Sequence, residues 1–118
     1  MKNILVIDDD PGILAFLQKR LDQAGYRAEV EVSGEIGFER MKAAPPDLVI
    51  VDIRMPGMDG FSFVREIRAD AALTRIPVIV VTAQEALGDI FKMEGVQGFF
   101  AKPVDTELLM EKIRELIG

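Results

Sequence analysis

Five short runs of apolar residues, separated by longer segments, constrain the fold of this chain more than any other feature. Most of the runs are rich in Val, Ile, Leu or Phe and too short for a helix, which is typical of strands buried on both faces. The second run alternates apolar and charged residues, as a half-exposed edge strand does. The predicted strands are Asn3–Ile7, Tyr26–Val32, Leu48–Val51, Val78–Val81 and Gly98–Ala101.

The segments between the predicted strands carry helix signals. Asp10 can act as the N-cap of a first helix, Pro11 suits the first helical position, and Gly25 is a typical C-terminal stop. Within that helix, apolar residues recur at helical spacing at Ile13, Leu14, Leu17, Leu21 and Ala24. Further helices are predicted from Ser33 to about Ala43, around Phe61–Ile67, from about Glu85 to Glu94, and from Asp105 or Thr106 to the last residues.

Strict alternation of strands and helices predicts one α/β domain over residues 1–118. Parallel strands need crossover connections, so we expect a parallel sheet with helices on both faces. Among small doubly wound folds, the flavodoxin-like (βα)5 arrangement with strand order 2-1-3-4-5 fits five strands. That order makes strands 1 and 3 neighbours, at the point where such sheets bind ligands.

Acidic residues follow the two strands that this fold makes neighbours. Asp8 and Asp9 come directly after the first strand, and Asp52 directly after the third. Two such charges about 4 Å apart repel by roughly 4 kcal/mol at a surface-like effective dielectric. Oxygen ligands alone favour Mg²⁺ over zinc as the compensating cation. Thr82 and Lys102 end strands 4 and 5 and would add a hydroxyl donor and a positive charge at the same edge.

These groups suit phosphoryl transfer, because a carboxylate can be the nucleophile while a cation neutralises the transferring group. The chain has no cysteine and no histidine, which excludes thiolate catalysis, a Ser-His-Asp triad, Cys- or His-ligated metal and a phosphohistidine of its own. With 14 basic residues, scattered singly, against 20 acidic ones, nucleic acid is not an expected direct ligand.

The chain shows no signal for secretion or for membrane insertion. The longest uninterrupted apolar runs are four or five residues, too short to span a bilayer. Met1-Lys2-Asn3 leads directly into a strand without a signal-peptide pattern. We therefore expect a cytoplasmic protein that does not contact a membrane.

The motifs at the strand ends resemble those of two-component response-regulator receiver domains, in particular single-domain regulators like those of chemotaxis. The resemblance covers essentially the whole chain. Each motif alone is weak, but four in the right order, each at a strand end, are specific. They are Ile7–Asp10, Asp52 with Met55–Gly60, Val81–Ala83, and Lys102–Pro103.

The resemblance implies a role for each matching residue near the third strand. Asp52 would be the phosphoacceptor. Asp8, Asp9 and Asp52 would hold Mg²⁺ together with the backbone carbonyl of Arg54. The phosphoryl donor would be a histidine kinase or a histidine phosphotransfer protein. The chain would catalyse its own phosphorylation and lose the group by hydrolysis, which differs from an enzyme with free turnover.

The resemblance also implies how phosphorylation is read. Thr82 would hydrogen-bond the phosphoryl group, and Lys102 would pair with one of its oxygens. Phe99 occupies the place of the aromatic switch residue, although simple packing explains a phenylalanine there equally well. A downstream target or output domain would recognise the face formed by the fourth helix, the fifth strand and the last helix, with the protein a monomer or a phosphorylation-dependent dimer. The stretch from Thr82 to Lys102 is slightly short for the family, which leaves the length of the fourth helix open.

Two other functions remain as alternatives. A phosphatase or phosphotransferase of the haloacid-dehalogenase type also has a nucleophilic Asp at the end of strand 1, but here Pro11 and Gly12 follow and no cap insertion is present. A receiver-like interaction module that is not phosphorylated would not need Asp52, Thr82 and Lys102 together. A flavodoxin is disfavoured, because three aspartates would repel the phosphate that its first loop cradles.

Overall fold

A five-stranded parallel sheet forms the centre of the computed structural model, which describes residues 1–83 and 94–118. The strands pair in the order β2-β1-β3-β4-β5. Their bounds are β1 (Asn3–Ile7), β2 (Arg27–Glu31), β3 (Leu48–Val51), β4 (Val78–Ala83) and β5 (Gly98–Lys102). The predicted α/β class, the parallel sheet and the strand order are confirmed.

Four helices lie in the part of the chain that the structure describes. They are α1 (Pro11–Gln23), α2 (Gly34–Ala43), α3 (Gly60–Ala69) and α4 (Thr106–Ile117). The helix predicted over Glu85–Glu94 lies outside the described residues, apart from its last residue. None of the helices described combines the length and the apolar character needed to cross a membrane.

Side-chain caps begin each described helix. Asp10, Ser33 and Asp105 accept hydrogen bonds from backbone N–H groups in the first turns of α1, α2 and α4, as predicted. Asp59 caps α3 by accepting from Ser62 N at 2.8 Å. These caps satisfy N–H groups that have no partner within their own helix, and they set where each helix starts after its loop.

The two faces of the sheet bury different halves of each strand. Alternate residues of β1 and β3 point to opposite faces, and all residues from Ile4 to Ile7 and from Leu48 to Val51 are buried. On one face the core contains side chains of α1 and α4, such as Leu17 and Leu109. On the other face it contains side chains of α2 and α3, such as Phe63. This two-sided burial explains why the central runs are almost wholly apolar.

Arg68 in α3 connects two backbone segments at the amino edge of the sheet, one before β4 and one before β5. Its Nη1 donates to the carbonyls of Thr74 (2.7 Å) and Ile76 (2.9 Å), and its Nε donates to the carbonyl of Gly95 (3.0 Å). Its Nη2 also donates to Oε1 of Gln97, which accepts from the backbone of β4 as well. One guanidinium thus satisfies carbonyls before β4 and before β5.

Arg68→Ala should lower the free energy of unfolding by about 2–3 kcal/mol, because hydrogen bonds from a charged donor contribute about 1.5–3 kcal/mol when buried and less when partly exposed. Arg65→Ala is the matched control, since Arg65 lies on the same helix, is exposed and bonds only weakly to Ser62 at 3.4 Å. Urea unfolding of both variants measures the difference. Equal stability of the two variants would contradict a structural role for Arg68.

Candidate functional site

Three carboxylates meet at the carboxyl edge of the sheet, where β1 and β3 end side by side. The register pairs Ile7 with Val51, so Asp8 and Asp52 leave neighbouring strands at the same level. The backbone N–H of Asp52 also donates to the carbonyl of Ile7 at 3.1 Å. Carboxylate oxygens of Asp8, Asp9 and Asp52 all lie within 4.8 Å of one another. The structure therefore brings together the three acidic residues singled out from the sequence.

Lys102 lies between two of these carboxylates. Its Nζ is 2.8 Å from Oδ2 of Asp8 and 3.0 Å from Oδ2 of Asp52. Asp8 and Asp52 are only 3% and 6% exposed, whereas Asp9 is exposed. When all are ionised, three carboxylates and one ammonium leave two negative charges uncompensated within this group of four residues. The site therefore has charge to accept a divalent cation.

Burial and pairing act in opposite directions on the charged groups of the site. Burial raises the pKa of Asp8, and the hydrogen bonds from Lys102 and from the backbone of Asp10 oppose that rise without cancelling it. Burial alone would lower the pKa of Lys102, but hydrogen bonds to Asp8 and Asp52 outweigh it and raise that pKa. Both pKa values are raised because one ammonium is shared by two carboxylates. The shared ammonium does not offset the burial of Asp8, whereas two carboxylates do offset the burial of the ammonium. Lys102 stays charged, and the carboxylates still favour another cation.

Thr82 contributes a buried hydroxyl to the same edge. It is 0% exposed, and its Oγ1 has no hydrogen-bond partner among the residues described. The register of β4 and β5 pairs Thr82 with Ala101, which precedes Lys102. A buried hydroxyl without a partner costs about 1–3 kcal/mol. The hydroxyl of Thr82 is therefore a candidate donor to a ligand at this edge of the sheet.

Phe99 lies on β5, opposite Val80 of β4. Its side chain is partly buried and packs against the core on the α2 and α3 face of the sheet. Partial burial at the edge strand agrees with simple packing and with a switch residue alike. Gln84, which by its place two residues past Thr82 is expected to border the phosphoryl group, lies outside the described residues.

Glu35 is a residue near the site that the sequence did not identify. Its Oε1 accepts a hydrogen bond from the backbone N–H of Met58, at 3.2 Å, in the loop that follows Asp52. A glutamate in the first turn of a helix is common, because it complements the positive end of the helix dipole. No sequence pattern therefore distinguishes this contact from an ordinary helix start.

The residues present fit Mg²⁺. The three neighbouring carboxylates supply hard oxygen ligands, and the excess negative charge matches a divalent ion. Backbone donors turn Asp8 and Asp52 in fixed directions, since Asp10 N donates to one at 2.9 Å and Arg54 N to the other at 3.4 Å. The second oxygen of each carboxylate contacts Lys102. A cation and a lysine that both contact Asp8 and Asp52 can also neutralise the negative charge of a phosphoryl group.

Comparisons with known proteins agree with this arrangement. The family model described as the response regulator receiver domain matches residues 4–114. Protein PilH of Pseudomonas aeruginosa is 34% identical, with 100% of this chain and 99% of PilH covered. The transcriptional regulator RpaA of Synechocystis is 33% identical over 99% of this chain, which spans only 49% of RpaA.

A solved structure with a metal ion is also similar. The receiver domain of a sensor histidine kinase from Pseudomonas aeruginosa, with magnesium coordinated in its active site cleft, is 29% identical. The two structures superpose with a TM-score of 0.90, over 99% of this chain and 98% of that one. The chain belongs to the response regulator receiver domain family, whose members act in phosphorylation-dependent signalling between histidine kinases and downstream targets.

Proposed function

We propose that Asp52 accepts a phosphoryl group from a histidine kinase or a histidine phosphotransfer protein, and that residues 1–118 act as a single receiver domain. The observation that carries this proposal is the position of Asp52, which is buried between other carboxylates and paired with Lys102 at 3.0 Å. The resulting acyl phosphate is lost by hydrolysis, so the chain switches between two states. The cytoplasm, where histidine kinases meet such regulators, is the proposed location.

The proposed metal ligands are Asp8, Asp9, Asp52 and the backbone carbonyl of Arg54. Bound there, Mg²⁺ supplies positive charge that neutralises the oxygens of the transferring phosphoryl group. Support comes from the mutual distances of the three carboxylates and from their excess negative charge. The exposure of Asp9 leaves one side of the group open to solvent.

The chain's own residues perform the transfer. A carboxylate oxygen of Asp52 attacks phosphorus, and the bond from phosphorus to the donor's imidazole nitrogen breaks with its electron pair left on that nitrogen. Lys102 already lies against Asp52 and carries the charge to pair with a phosphoryl oxygen. The hydroxyl of Thr82 donates to another oxygen, which gives it the partner it otherwise lacks among the described residues.

The readout would run from Thr82 to Phe99 and to the face that contains β5 and α4. The strands β4 and β5 are adjacent: Phe99 pairs with Val80, and Thr82 lies two residues further along β4 than Val80. Shifting an inactive population from 1:99 to 99:1 needs about 5.5 kcal/mol of differential stabilisation. New charge-assisted bonds to the phosphoryl group would supply part of it. The partner would be a downstream protein or output domain, bound by a monomer or a phosphorylation-dependent dimer.

Incubation with Mg²⁺ and acetyl phosphate tests the proposal. We expect one phosphoryl group per chain, attached through a bond that hydroxylamine cleaves, as measured by mass spectrometry. Continuous release of phosphate without a stable adduct would favour a phosphatase of the haloacid-dehalogenase type. Absence of both adduct and turnover would favour an interaction module that is not phosphorylated.

Arg54→Ala should shorten the lifetime of the phosphorylated state by several-fold while leaving the protein able to accept the group. Arg54 is exposed, lies two residues past Asp52 and lines an open cleft of about 460 Å³ with Met55 and Phe61. From there its side chain is long enough to cover the phosphoryl group and limit access of the attacking water. The decay of the adduct after removal of the donor measures the lifetime, and Arg54→Lys is the control that keeps a long cationic side chain. A lifetime unchanged in Arg54→Ala would refute this role.

A further inference from the structure

The geometry assigns Glu35 a role as a positioning residue: it holds the β3–α3 loop (residues 52–59) in the conformation that binds Mg²⁺ and accepts the phosphoryl group. The inference rests on the proposed function of Asp52. Glu35 itself lies on α2 and is exposed, so burial in the core does not explain its contacts.

The beginning of the β3–α3 loop is hydrogen-bonded to the start of α3. The backbone N–H of Gly60 donates to the carbonyl of Ile53 at 2.7 Å. A Cβ atom added to Gly60 would lie 2.5 Å from the carbonyl oxygen of Asp52, so the helix begins in direct contact with the backbone of the phosphoacceptor. This attachment closes the loop over a short span.

The middle of the loop is attached to the start of α2. Oε1 of Glu35 accepts from the N–H of Met58 at 3.2 Å, and Oε2 lies where a Cβ atom on Gly57 would be only 2.6 Å away. Gly57 has φ +74, a conformation that favours glycine and allows this close approach. From the same turn of α2, Gly34 approaches so closely that an added Cβ would lie 2.8 Å from the carbonyl oxygen of Met58.

The carboxylate of Glu35 is charged when it makes this contact. Its pKa is lowered because it accepts hydrogen bonds from its own backbone N–H and from that of Met58, with Ser33 as a further donor. An ionised acceptor strengthens a hydrogen bond to a backbone N–H. At neutral pH the contact is therefore present in its stronger form.

The residues between the two attachments are the ones that the proposed site needs. Arg54, whose carbonyl is the proposed metal ligand, lies between the bond at Ile53 and the bond at Met58. With both ends held, few backbone conformations remain for Arg54. Groups that hold a metal ligand in place typically change metal affinity by about 10–100-fold when they are removed. Because Glu35 is exposed, we expect an effect at the lower end, about tenfold weaker Mg²⁺ binding in Glu35→Ala.

Three variants of α2 test the inference. Glu35→Ala removes the acceptor, and Glu35→Gln keeps an oxygen in the same place without the charge. Glu39→Ala is the matched control, since Glu39 is exposed on the same helix, where it pairs with Lys42 at 3.1 Å. For each protein we would measure the amide proton shift of Met58 without metal, the Mg²⁺ affinity, and the rate of labelling by acetyl phosphate. We expect Glu35→Ala to move the Met58 amide and to weaken both Mg²⁺ binding and labelling, Glu35→Gln to restore most of the loss, and Glu39→Ala to match the wild type.

A second, independent variant approaches the same loop from the other contact. Gly34→Ala leaves Glu35 intact but pushes against the carbonyl of Met58, so it should also weaken Mg²⁺ binding. If wild-type protein is labelled and binds Mg²⁺, but Glu35→Ala behaves like Glu39→Ala, the role of Glu35 is refuted and the role of Asp52 stands. If the wild type itself is never labelled at Asp52, the proposed function fails first.

Discussion

Asp52→Asn should abolish labelling by acetyl phosphate and leave the fold intact. The amide nitrogen is not a nucleophile, and the carbonyl oxygen of asparagine lacks the charge with which the carboxylate attacks phosphorus. The shape of the side chain is nearly unchanged, and the asparagine oxygen can still accept the hydrogen bond from the backbone N–H of Arg54. Lys102 keeps its contact with Asp8 at 2.8 Å. Loss of one of several close negative charges should leave the stability of the metal-free protein equal or higher.

Asp59→Asn is the matched control for this substitution. Asp59 lies at the end of the same loop and caps α3 through Ser62 N, a position where asparagine is as favourable as aspartate. Mass spectrometry of the intact proteins should show one phosphoryl group on the control and none on Asp52→Asn. Full labelling of Asp52→Asn, mapped to the peptide that contains residue 52, would exclude the assignment. Labelling at Asp8 in place of Asp52 would instead favour the haloacid-dehalogenase chemistry.

The sequence predicted the parts of the site that depend on strand ends. Asp8, Asp52, Thr82 and Lys102 each follow or end a short apolar run, and the parallel sheet brings the ends of such runs to one edge. The same reasoning explains why the strand order could be predicted, since five alternating units permit few unknotted arrangements. The caps at Asp10 and elsewhere were predictable because their signal is local.

Contacts made by long side chains across the chain were not predictable. Glu35 reaches a backbone N–H that is 23 residues away, and Arg68 reaches a carbonyl 27 residues away. Hydrophobic periodicity identifies an element and its buried face, but it does not identify which backbone group an exposed charged side chain contacts. Lys102 shows both what the sequence can predict and what it cannot. Its place at the site followed from the strand end, whereas its contact with Asp8 as well as Asp52 depends on rotamers that only the packed structure defines.

Mg²⁺ should stabilise the wild-type protein strongly. The folded chain gathers Asp8, Asp9 and Asp52 within 4.8 Å, and the unfolded chain does not, so the ion binds mainly the native state. At a concentration one hundred times its Kd, such binding adds about 2.7 kcal/mol to the free energy of unfolding. Thermal unfolding at several Mg²⁺ concentrations measures the gain. Sodium chloride of equal ionic strength is the control, because screening alone also weakens the repulsion between the carboxylates.

Asp9→Ala should separate metal binding from folding. Asp9 is exposed, so its removal should change the stability of the metal-free protein by less than about 0.5 kcal/mol, as is usual for surface substitutions. The stabilisation by Mg²⁺ should fall markedly, because one of the three neighbouring carboxylates is gone. If Mg²⁺ stabilises the variant and the wild type equally, Asp9 is not a metal ligand.

Asp8→Asn should raise the free energy of unfolding of the metal-free protein by about 1 kcal/mol at neutral pH, which is typical of a single stabilising substitution. Burial raises the pKa of Asp8 above its ordinary value of 3.8, so the ionised form is less favourable in the folded than in the unfolded chain. The protonated side chain of Asp8 therefore contributes its full stabilisation of the folded state below pH 3.8. This stabilisation is lost as the pH rises through the raised pKa. The advantage of Asp8→Asn should accordingly be absent below pH 3.8 and appear above it, and urea unfolding between pH 3 and pH 8 measures it.

Because Asp8→Asn also removes a proposed ligand, Mg²⁺ should stabilise it less than the wild type. If the variant is instead less stable than the wild type at pH 7 without metal, the hydrogen bond from Lys102 outweighs the cost of burying the Asp8 carboxylate. The charge of Asp8 would then not be what favours a bound cation at this site.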